Sequence, residues 1–519
     1  MGKITYASLG SLGDEFHQNF DAAVKQVQKG LGHTHPLFIR GQKKAAKAGT
    51  FADTSPANTR LELGRFQKGG REEARQAIAA AKGAARDWSD LGWAQRVAFL
   101  RKAAELLQKH QFRFAAILSL EAGKNRFEAI AEVSESIDLI LYYCQQMETH
   151  HGYTLPMGGQ GHEQTRSVLK PYGAWAVVAP FNFPLALATG MAAAALLAGN
   201  TVVFKPASDT PLAGLCLYET LHDAGLPAGV FNYLTGPGAT VGEELITNRD
   251  LDGFVFTGSR AVGLDILHRF RQARLRPCLA EMGGKNPALV LPSANLDDAA
   301  EGVMRSAFGL GGQKCSACSR VYLHKQISAP FLERLLAKTR ELRIGDPLHR
   351  ETFLGPLINE VAVAKYERAV KLGKKEGRVL HGGRRLKQDE FAHGFFVEPT
   401  IIDRLPPGSK LFQEEYFAPV LAVTQIESLD EAIARANESE YGLTAGIFTE
   451  EEHEREKFFD EVQAGVVYAN RRGGATTGAW PGLQSFGGWK NSGSSGRGAL
   501  GPHYVAQFMR EQSQTITRH

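Results

Sequence analysis

A long apolar segment, residues 171–204, constrains the fold of this chain more than any other feature, because it carries no charged side chain between its end residues. An apolar segment of this length could cross a lipid bilayer. Pro180, Pro184, Gly199 and Asn200 divide it into AWAVVA, LALATGMAAAALLA and TVVF. Since proline removes a backbone donor and interrupts regular structure, the pieces are predicted to be a strand, a buried helix and a second strand, with no membrane involved.

Strand-like and helix-like segments alternate along most of the remaining chain. Residues 70–150 are predicted to be helical, and a polar stretch at 152–170 is predicted to be extended. After TVVFKP come GLCLYETLHDAG, GVFNYLTG and FVFTGS, and a second series begins at NPALVLP. Such alternation predicts parallel sheets with crossover helices, in two α/β domains with a cleft between them.

The composition excludes several classes of protein. The 519 residues are 43% apolar and 22% charged, as in ordinary globular chains, and the length suggests two to four domains. A net charge of +5 is too small to indicate nucleic-acid binding. The most basic stretch, residues 365–387, contains one aromatic residue, Tyr366, and we interpret it as a solvated surface turn.

The cysteine content points to a reducing compartment. The five cysteines are few and odd in number, which argues against a disulfide scaffold; they are Cys144, Cys216, Cys278, Cys315 and Cys318. The first twenty residues contain no apolar core of a secretory signal. A cytoplasmic location is therefore expected.

Two glycine-containing motifs supply a candidate nucleophile and a candidate base. Cys315 lies in GGQKCSACSR, and Glu281 lies in EMGGKNP. A thiol with a pKa of about 8.5 is only slightly ionised at pH 7, so a catalytic cysteine needs nearby donors or a base. The alternative is a CxxC pair with Cys318 that binds metal or forms a redox disulfide, but no second CxxC or histidine pair completes a four-ligand site.

Asn182, in PFNFP, is a candidate donor to a developing oxyanion, although a turn residue would suit this position equally well. Lys205 ends the strand TVVFK and is positioned to reach a ribose or a phosphate.

Glycine-rich turns offer candidate phosphate sites. Gly238 lies in GPGATVG, which a plain turn would also explain. Gly258, Ser259 and Gly263 lie in FTGSRAVG, where a strand leads directly into a helix. Ser259 is predicted to cap that helix while free backbone donors face a pyrophosphate; a simple N-cap is the alternative.

The motif EEYFAP places two acids beside two aromatic residues. Glu415 could hold ribose hydroxyls and Phe417 could flank a planar ring, or the aromatics could be core and the acids surface.

The order PFNFP, KP, FTGS, EMGGKNP, GQKC, EEYFAP and SFGGWKNSG resembles the aldehyde dehydrogenase superfamily from about residue 50 to 510. The resemblance implies that Cys315 attacks an aldehyde, that hydride passes to NAD(P), and that Glu281 activates water to hydrolyse a thioester. Asn182 and the main-chain amide of Cys315 would form the oxyanion hole. The presence of Glu281 favours hydrolysis over acyl transfer to coenzyme A.

The same resemblance assigns cofactor contacts to Lys205, Gly258, Ser259, Glu415 and Phe417. In KPASDTP, Ser208 stands where many relatives carry an acid for the ribose hydroxyls. A 2′-phosphate would meet less repulsion there, so we expect NAD as the cofactor with NADP tolerated.

The residues around these motifs resemble those of family members that oxidise L-glutamate γ-semialdehyde to L-glutamate. By that resemblance Ser316, Gly478 and Ala479 bind the substrate carboxylate, and Glu128 or Glu132 faces its ammonium group. The glycine-rich stretch at 470–480 leaves a second substrate open, succinylglutamate semialdehyde. A non-catalytic dinucleotide-binding protein is the alternative from another class.

The resemblance also implies a domain plan. Residues 1–151 and 171–285 would form a Rossmann-like NAD(P)-binding domain, residues 286–480 an α/β catalytic domain, and residues 152–170 with 495–519 a small β arm. In relatives such an arm completes a neighbour's sheet, so a homodimer or larger assembly is expected. A proline-oxidising partner is a further expectation, and no metal site is expected.

Overall fold

A computed structural model of the chain describes residue 5 and residues 12–272, 274–473 and 479–518. Its helices are α1 (Asp14–Lys29), α2 (Arg71–Asp90), α3 (Trp93–Lys109), α4 (Gln111–Ala122), α5 (Arg126–Thr149), α6 (Ala186–Leu197), α7 (Pro211–Asp223), α8 (Glu243–Thr247), α9 (Arg260–Phe270), α10 (Leu296–Phe308), α11 (Ser328–Arg340), α12 (Glu360–Glu376), α13 (Lys410–Gln413), α14 (Leu429–Asn437) and α15 (Glu452–Glu461).

The strands form several separate sheets. They are β1 (His33–His35), β2 (Leu37–Ile39), β3 (Gln42–Lys44), β4 (Thr50–Ser55), β5 (Asn58–Gln67), β6 (Thr154–Pro156), β7 (Glu163–Pro171), β8 (Ala174–Val178), β9 (Thr201–Lys205), β10 (Phe231–Tyr233), β11 (Gly253–Thr257), β12 (Cys278–Glu281), β13 (Asn286–Val290), β14 (Cys318–His324), β15 (Arg378–His381), β16 (Thr400–Asp403), β17 (Val420–Ile426), β18 (Tyr441–Gly442), β19 (Thr444–Phe448), β20 (Val466–Ala469), β21 (Trp489–Lys490) and β22 (Met509–Thr517).

The charge-free segment 171–204 provides the centre of the first large sheet. Its three pieces are β8, α6 and β9, as the proline and glycine positions predict. Strands β8 and β9 are parallel neighbours, and α6 is buried along almost its whole length. The segment is therefore apolar because both faces of its strands and most of its helix lie inside the protein.

The first sheet has the strand order β12-β11-β8-β9-β10-β2-β3. Strands β8 to β12 run parallel, and β2 and β3 extend the sheet in antiparallel fashion. The order reverses between β8 and β11, because the chain builds outward through β9 and β10 and then returns to the other side of β8. Ligands bind such α/β sheets beyond the carboxyl ends of the strands at the reversal.

The second large sheet has the order β15-β16-β17-β14-β13-β19-β20. All neighbouring pairs are parallel except β15 with β16. The two sheets with their crossover helices confirm the predicted α/β fold class. Helices α2 to α5 occupy the region from Arg71 to Thr149 that is predicted to be helical.

A third sheet joins two segments that are far apart in sequence. Strand β22 pairs with β7 along nine consecutive residue pairs, from Met509 with Pro171 to Thr517 with Glu163, and β6 lies on the other side of β7. The extended stretch after α5 and the C-terminal segment thus form one antiparallel ribbon.

The basic stretch of the chain differs from its prediction. The basic stretch at 365–387 is not a turn: most of it belongs to α12, whose buried face includes Tyr366, and β15 follows. Its apolar residues recur at helical spacing, and this signal outweighs the number of charges.

Among the described residues, no helix combines the length and apolar character needed to cross a membrane.

Candidate active site

The carboxyl ends of four parallel strands in the first sheet carry predicted site residues. Lys205 and Glu281 end β9 and β12. Asn182 follows β8, and Gly258 follows β11. Since parallel strands end at the same edge of a sheet, these residues are brought to one face at the point of strand reversal.

Cys315 reaches this edge from the amino end of β14 in the second sheet. The turn before it has left-handed backbone at Leu310, Gly311 and Gly312, with φ between 50° and 68°. A Cβ on Gly312 would lie 2.5 Å from the carbonyl oxygen of Ala418, so the turn tolerates only glycine there. The result places Cys315 Sγ 4.0 Å from Glu281 Oε1.

Burial controls the protonation of this pair. Burial, together with the nearby carboxyl of Glu135, raises the pKa of Glu281 to about 8. Burial and the charges of Glu281 and Glu415 raise the pKa of the Cys315 thiol well above its usual value, while the backbone N–H groups of Ser316 and Cys315 act in the opposite direction. The thiol is therefore protonated at neutral pH in the ligand-free protein, and the ionised fraction of the Glu281 carboxyl increases as the pH approaches 8.

Asn182 is buried and is held against the segment that carries the nucleophile. Its Nδ2 donates to the carbonyl oxygen of Gln313 at 3.0 Å. Gln313 is itself fixed, because its side chain donates to the Leu310 carbonyl oxygen and accepts from the Ile358 N–H. One amide proton of Asn182 thus connects the PFNFP turn to the turn that precedes Cys315. The other amide proton is available for an oxygen atom near Cys315.

A cavity opens in front of the thiol. The described residues that line it are Glu135, Leu139, Phe183, Ala186, Leu187, Gly190, Met191, Thr257, Glu281, Lys314, Cys315, Ser316, Ala479, Phe486, Ala499, Leu500 and Tyr504. Two predicted substrate residues, Ser316 and Ala479, are among them. The third, Gly478, lies outside the described residues. The wall is mainly apolar, with a few polar groups that can orient a small ligand.

The two acids predicted to face a substrate ammonium, Glu128 and Glu132, lie in buried ion pairs. Glu128 and Glu132 do not line this cavity; Glu128 pairs with Lys314 and Glu132 with Lys124. Glu135, three residues further along α5, lines the cavity instead. Glu135 lies seven residues after Glu128 and three after Glu132, so all three share one helical face. This spacing is the sequence signal that could have identified it.

In FTGSRAVG the predicted cap at Ser259 is absent, and Gly263 makes a packing contact. Ser259 precedes α9 as expected, but its side chain accepts no capping hydrogen bond from that helix. A Cβ on Gly263 would lie 2.6 Å from Met282 Sδ, so this glycine permits close packing of α9. Gly258 packs over Phe256 and donates its N–H to the Glu281 carbonyl oxygen.

The other predicted cofactor residues surround the same edge. Burial lowers the pKa of Lys205 to about 8, and its Nζ donates to the Pro206 carbonyl oxygen at 3.0 Å. Ser208 is exposed in the loop after β9, and Gly238 is exposed at the start of a π-helical turn, Gly238–Gly242, that leads into α8.

Glu415 and Phe417 approach from the second sheet, in the loop before β17. Glu415 Oε1 accepts the Gly284 N–H at 2.9 Å, and burial raises the pKa of this carboxyl to about 7. Phe417 contacts Phe181 edge to face, with ring centroids 5.9 Å apart. The loop thereby meets both the Glu281 loop and the PFNFP turn.

Cys318 is separated chemically from the nucleophile. It begins β14, is buried, and its Sγ contacts the Arg320 carbonyl oxygen at 3.5 Å. Burial raises its pKa to about 12, so it is a poor thiolate and a poor metal ligand. Within the described part of the chain, no three histidine, cysteine or acidic side chains are grouped to hold a metal ion.

Comparisons with known proteins agree with this arrangement. The aldehyde dehydrogenase family profile matches residues 43–514. A 1-pyrroline-5-carboxylate dehydrogenase of Geobacillus sp. (strain WCH70) is 37% identical over 504 residues, which are 96% of this chain and 95% of that protein.

Solved structures give the same result. A 1-pyrroline-5-carboxylate dehydrogenase from Thermus with bound NAD has a TM-score of 0.93 at 34% identity, and the match covers 98% of this chain and 97% of that one. Proline utilization A (PutA) from Bdellovibrio bacteriovorus has a TM-score of 0.92 at 34% identity over 96% of this chain and 52% of that one.

Proposed function

Because the chain belongs to the aldehyde dehydrogenase family, we propose that it oxidises L-glutamate γ-semialdehyde, the open form of 1-pyrroline-5-carboxylate, to L-glutamate with NAD in proline degradation. The relative from Geobacillus and the structure from Thermus with NAD support both the substrate and the cofactor. The observation that carries the proposal is the cavity in which Cys315 and Glu281 face each other beside Glu135 and Ser316.

The cavity suits a small aldehyde with a charged far end. Leu139, Leu187 and Phe486 line an apolar passage, which limits water near the thiol. Glu135 supplies a carboxylate for an ammonium group, and Ser316 supplies a hydroxyl for a carboxylate. An amino-acid semialdehyde has both of these groups at the end opposite its aldehyde carbon.

The residues at the carboxyl edge of the first sheet fit a dinucleotide. The buried Lys205 offers donors to a ribose or phosphate, and Glu415 offers acceptors to ribose hydroxyls. Gly258 follows β11 at the same carboxyl edge, and the absence of a side chain lets its backbone pack against the Phe256 ring. When bound, NAD supplies the acceptor for the hydride that leaves the aldehyde carbon.

In the first half of the reaction, Cys315 loses its proton and its sulfur adds to the aldehyde carbon. The carbonyl oxygen becomes an oxyanion, which we propose is stabilised by the free N–H of Asn182 and by the main-chain N–H of Cys315. The ionised form of Glu281, whose Oε1 lies 4.0 Å from the sulfur, is placed to accept the thiol proton, and water is the alternative acceptor. The proton then passes to solvent, so the carboxylate is a free base again before the second half. Loss of hydride from this centre leaves a thioester on Cys315.

In the second half, Glu281 is proposed to take a proton from water as that water attacks the thioester carbon. The same oxyanion donors act on the second tetrahedral centre, and the carbon–sulfur bond then breaks to release L-glutamate. The raised pKa of about 8 suits this role, since a base of that strength accepts a proton readily near neutral pH.

The proposal is tested by measuring NADH formation with a panel of aldehydes. Glutamate γ-semialdehyde is compared with succinylglutamate semialdehyde, succinate semialdehyde and propionaldehyde. We expect the highest kcat/KM for glutamate γ-semialdehyde. Cys315→Ser is expected to reduce NADH formation by at least about 10³-fold, and Cys318→Ser serves as the matched control that retains activity. A preference for propionaldehyde, or equal rates for wild type and Cys315→Ser, would contradict the proposal.

We further propose that the protein is a cytoplasmic homo-oligomer that assembles through the β6–β7–β22 sheet. Three apolar side chains in or beside this sheet are unusually exposed, Leu155 at 61%, Met157 at 56% and Ile516 at 46%. A proline-oxidising enzyme would supply the substrate, as the similarity to a proline utilization protein suggests. Cell fractionation tests the location, and co-purification with proline dehydrogenase tests the partner.

A further inference from the structure

Four buried charged side chains form two ion pairs next to the turns that carry Asn182 and Cys315. Lys124 Nζ is 2.5 Å from Glu132 Oε2, and both side chains are fully buried. Lys314 Nζ is 3.1 Å from Glu128 Oε1, and these side chains are less than one-tenth exposed. Removing charges from water costs free energy that pairing repays only in part, so fold stability alone does not explain these pairs.

Glu132 caps the helix that follows the Asn182 turn. The N–H groups of Leu185 and Ala186 donate to Glu132 Oε1 at 2.9 and 3.1 Å. These groups lie at the amino end of α6, where the first N–H groups of a helix have no partner within the helix, and the N-cap residue Leu185 has no side chain that can accept them. A carboxylate from α5 therefore holds the start of α6, three residues after Asn182.

Lys124 holds the same turn from its other side. Its Nζ lies 3.6 Å from the centre of the Phe183 ring, a favourable cation–π distance. Phe183 follows Asn182 directly and lines the substrate cavity. Lys124 thus holds the Phe183 ring, which is next to Asn182 in sequence. Glu132 holds the first residues of α6, which follow shortly after.

The second pair acts on the nucleophile side. Lys314 immediately precedes Cys315, and Glu128 lies one helical turn before Glu132 on α5. One face of α5 therefore contacts both halves of the oxyanion site. The hydrogen bond from Asn182 Nδ2 to the Gln313 carbonyl oxygen connects the Asn182 turn to the segment that carries Lys314 and Cys315.

From these contacts we propose that Glu132, with Lys124, is a positioning residue for Asn182: the pair keeps the amide of Asn182 aimed at the oxyanion. This inference rests on the proposed function, because it assigns a role within that reaction. The ion pair itself contacts neither substrate nor cofactor. Its effect passes through the start of α6 and the Phe183 ring, and it should appear in kcat rather than in KM.

The test compares two double variants that remove both charges together, so that neither leaves an unpaired buried ion. The acceptor-retaining variant, Lys124→Met with Glu132→Gln, keeps an oxygen that can accept the N–H groups of Leu185 and Ala186. The acceptor-free variant, Lys124→Met with Glu132→Leu, removes that oxygen while filling the same space. We expect kcat within about threefold of wild type for the acceptor-retaining variant. For the acceptor-free variant we expect kcat at least about tenfold lower, with KM changed less than about threefold.

A double-mutant cycle with Asn182→Ala separates positioning from general loss of structure. In the wild-type background this substitution is expected to lower kcat by about 10²-fold. In the acceptor-free variant it should lower kcat by less than about fivefold, because the amide is already misplaced. Rates are expressed per reactive thiol, counted by titration of Cys315, so unfolded protein does not contribute. If the acceptor-free variant does not fold, Lys124→Met with Glu132→Met replaces it.

Two results would overturn the inference: a folded acceptor-free variant with wild-type kcat, or an equal effect of Asn182→Ala in both backgrounds. The wild type is assayed in parallel with the whole aldehyde panel. Absence of NADH formation from every aldehyde would defeat the proposed function. Activity of the wild type combined with an unchanged kcat in the acceptor-free variant would defeat only the positioning role.

Discussion

The carboxyl group of Glu281 has two proposed tasks, acceptance of the thiol proton and activation of water. Solvent can replace the carboxyl in the first task but not in the second, so replacing one oxygen with nitrogen separates them. A glutamine side chain at this position could not accept a proton from water, but Cys315 and Asn182 would remain in place. Glu281→Gln is expected to form NADH in a burst that approaches one equivalent per thiol, followed by a steady rate at least about 10²-fold below wild type. Stopped-flow absorbance measures both phases.

Cys318→Ser provides the matched control for this experiment, since it alters a buried polar side chain near the site without touching the base. It should show the wild-type steady rate. A Glu281→Gln variant that turns over at the wild-type rate, or one that shows no burst, would contradict the two-step assignment.

The pH dependence of hydrolysis follows from the pKa of Glu281. Only the ionised carboxylate accepts a proton, so the rate of thioester hydrolysis should fall about tenfold per pH unit below the pKa, which is about 8, and level off above it. Burial is the main cause of this raised pKa, and Glu135 is the second. Removing the Glu135 charge with Glu135→Gln should therefore move the midpoint to lower pH.

The midpoint is measured with propionaldehyde, which carries no ammonium group and so does not depend on Glu135 for binding. Exposed Glu414 offers the control: Glu414→Gln should leave the midpoint unchanged. A midpoint that does not move in Glu135→Gln would show that this carboxyl does not act on Glu281.

At the scale of elements, α9 lies close to the loop after β12 because Gly263 has no side chain. In Gly263→Ala the new Cβ would meet Met282 Sδ at 2.6 Å, so the Met282 side chain or the helix must move. If the displacement costs about 1–2 kcal/mol of binding, NAD affinity falls by about 5- to 30-fold. Isothermal titration calorimetry measures this change.

Gly83→Ala is the matched control, since this glycine lies within α2 and a Cβ there has no heavy atom within 4 Å. It should bind NAD as the wild type does. Equal NAD affinity in both alanine variants would show that the close packing of α9 does not matter for the cofactor.

The three-stranded arm is the element on which assembly is proposed to depend. Leu155→Lys combined with Ile516→Lys places charges on its exposed apolar side chains and should reduce the oligomer to a smaller species. Sedimentation equilibrium gives the mass. Val361→Lys, on the exposed face of α12 at 66% exposure, is the control and should leave the mass unchanged. A monomeric wild type, or a double variant of unchanged mass, would contradict the proposal.

At the scale of the whole molecule, the site exists only where the two large sheets meet. The first sheet contributes the carboxyl ends of its strands, and the second contributes loops at the amino ends of β14 and β17. The contacts between Cys315 and Glu281 and between Glu415 and Gly284 connect them. A ligand that occupies this junction should stabilise the native protein as a whole.

NAD at about 100 times its Kd should therefore raise the free energy of unfolding by about 2.7 kcal/mol and raise Tm accordingly. Thermal denaturation with increasing NAD measures this shift. Lys205→Ala should reduce it, whereas Lys371→Ala, which changes an exposed lysine on α12, should not. An unchanged Tm at saturating NAD would contradict the placement of the cofactor.

Local sequence was sufficient to predict the elements and the chemical candidates, because both depend on neighbouring residues. Proline and glycine positions in the segment 171–204 predict β8, α6 and β9, since these residues interrupt regular backbone wherever they occur. The motifs around Cys315 and Glu281 identify a thiol and an acid by their residue types. The prediction of a surface turn at 365–387 is wrong because it weighs the charges of this stretch above its helical spacing.

Long-range packing, in contrast, selects which charged residues face the cavity and which support it. Glu128, Glu132 and Glu135 share one face of α5, and their spacing alone does not distinguish them. Glu128 pairs with Lys314 and Glu132 pairs with Lys124, whereas Glu135 lines the cavity. The reason is physical: a helix sets the direction of a side chain, but its partner depends on packing between segments that lie far apart in sequence.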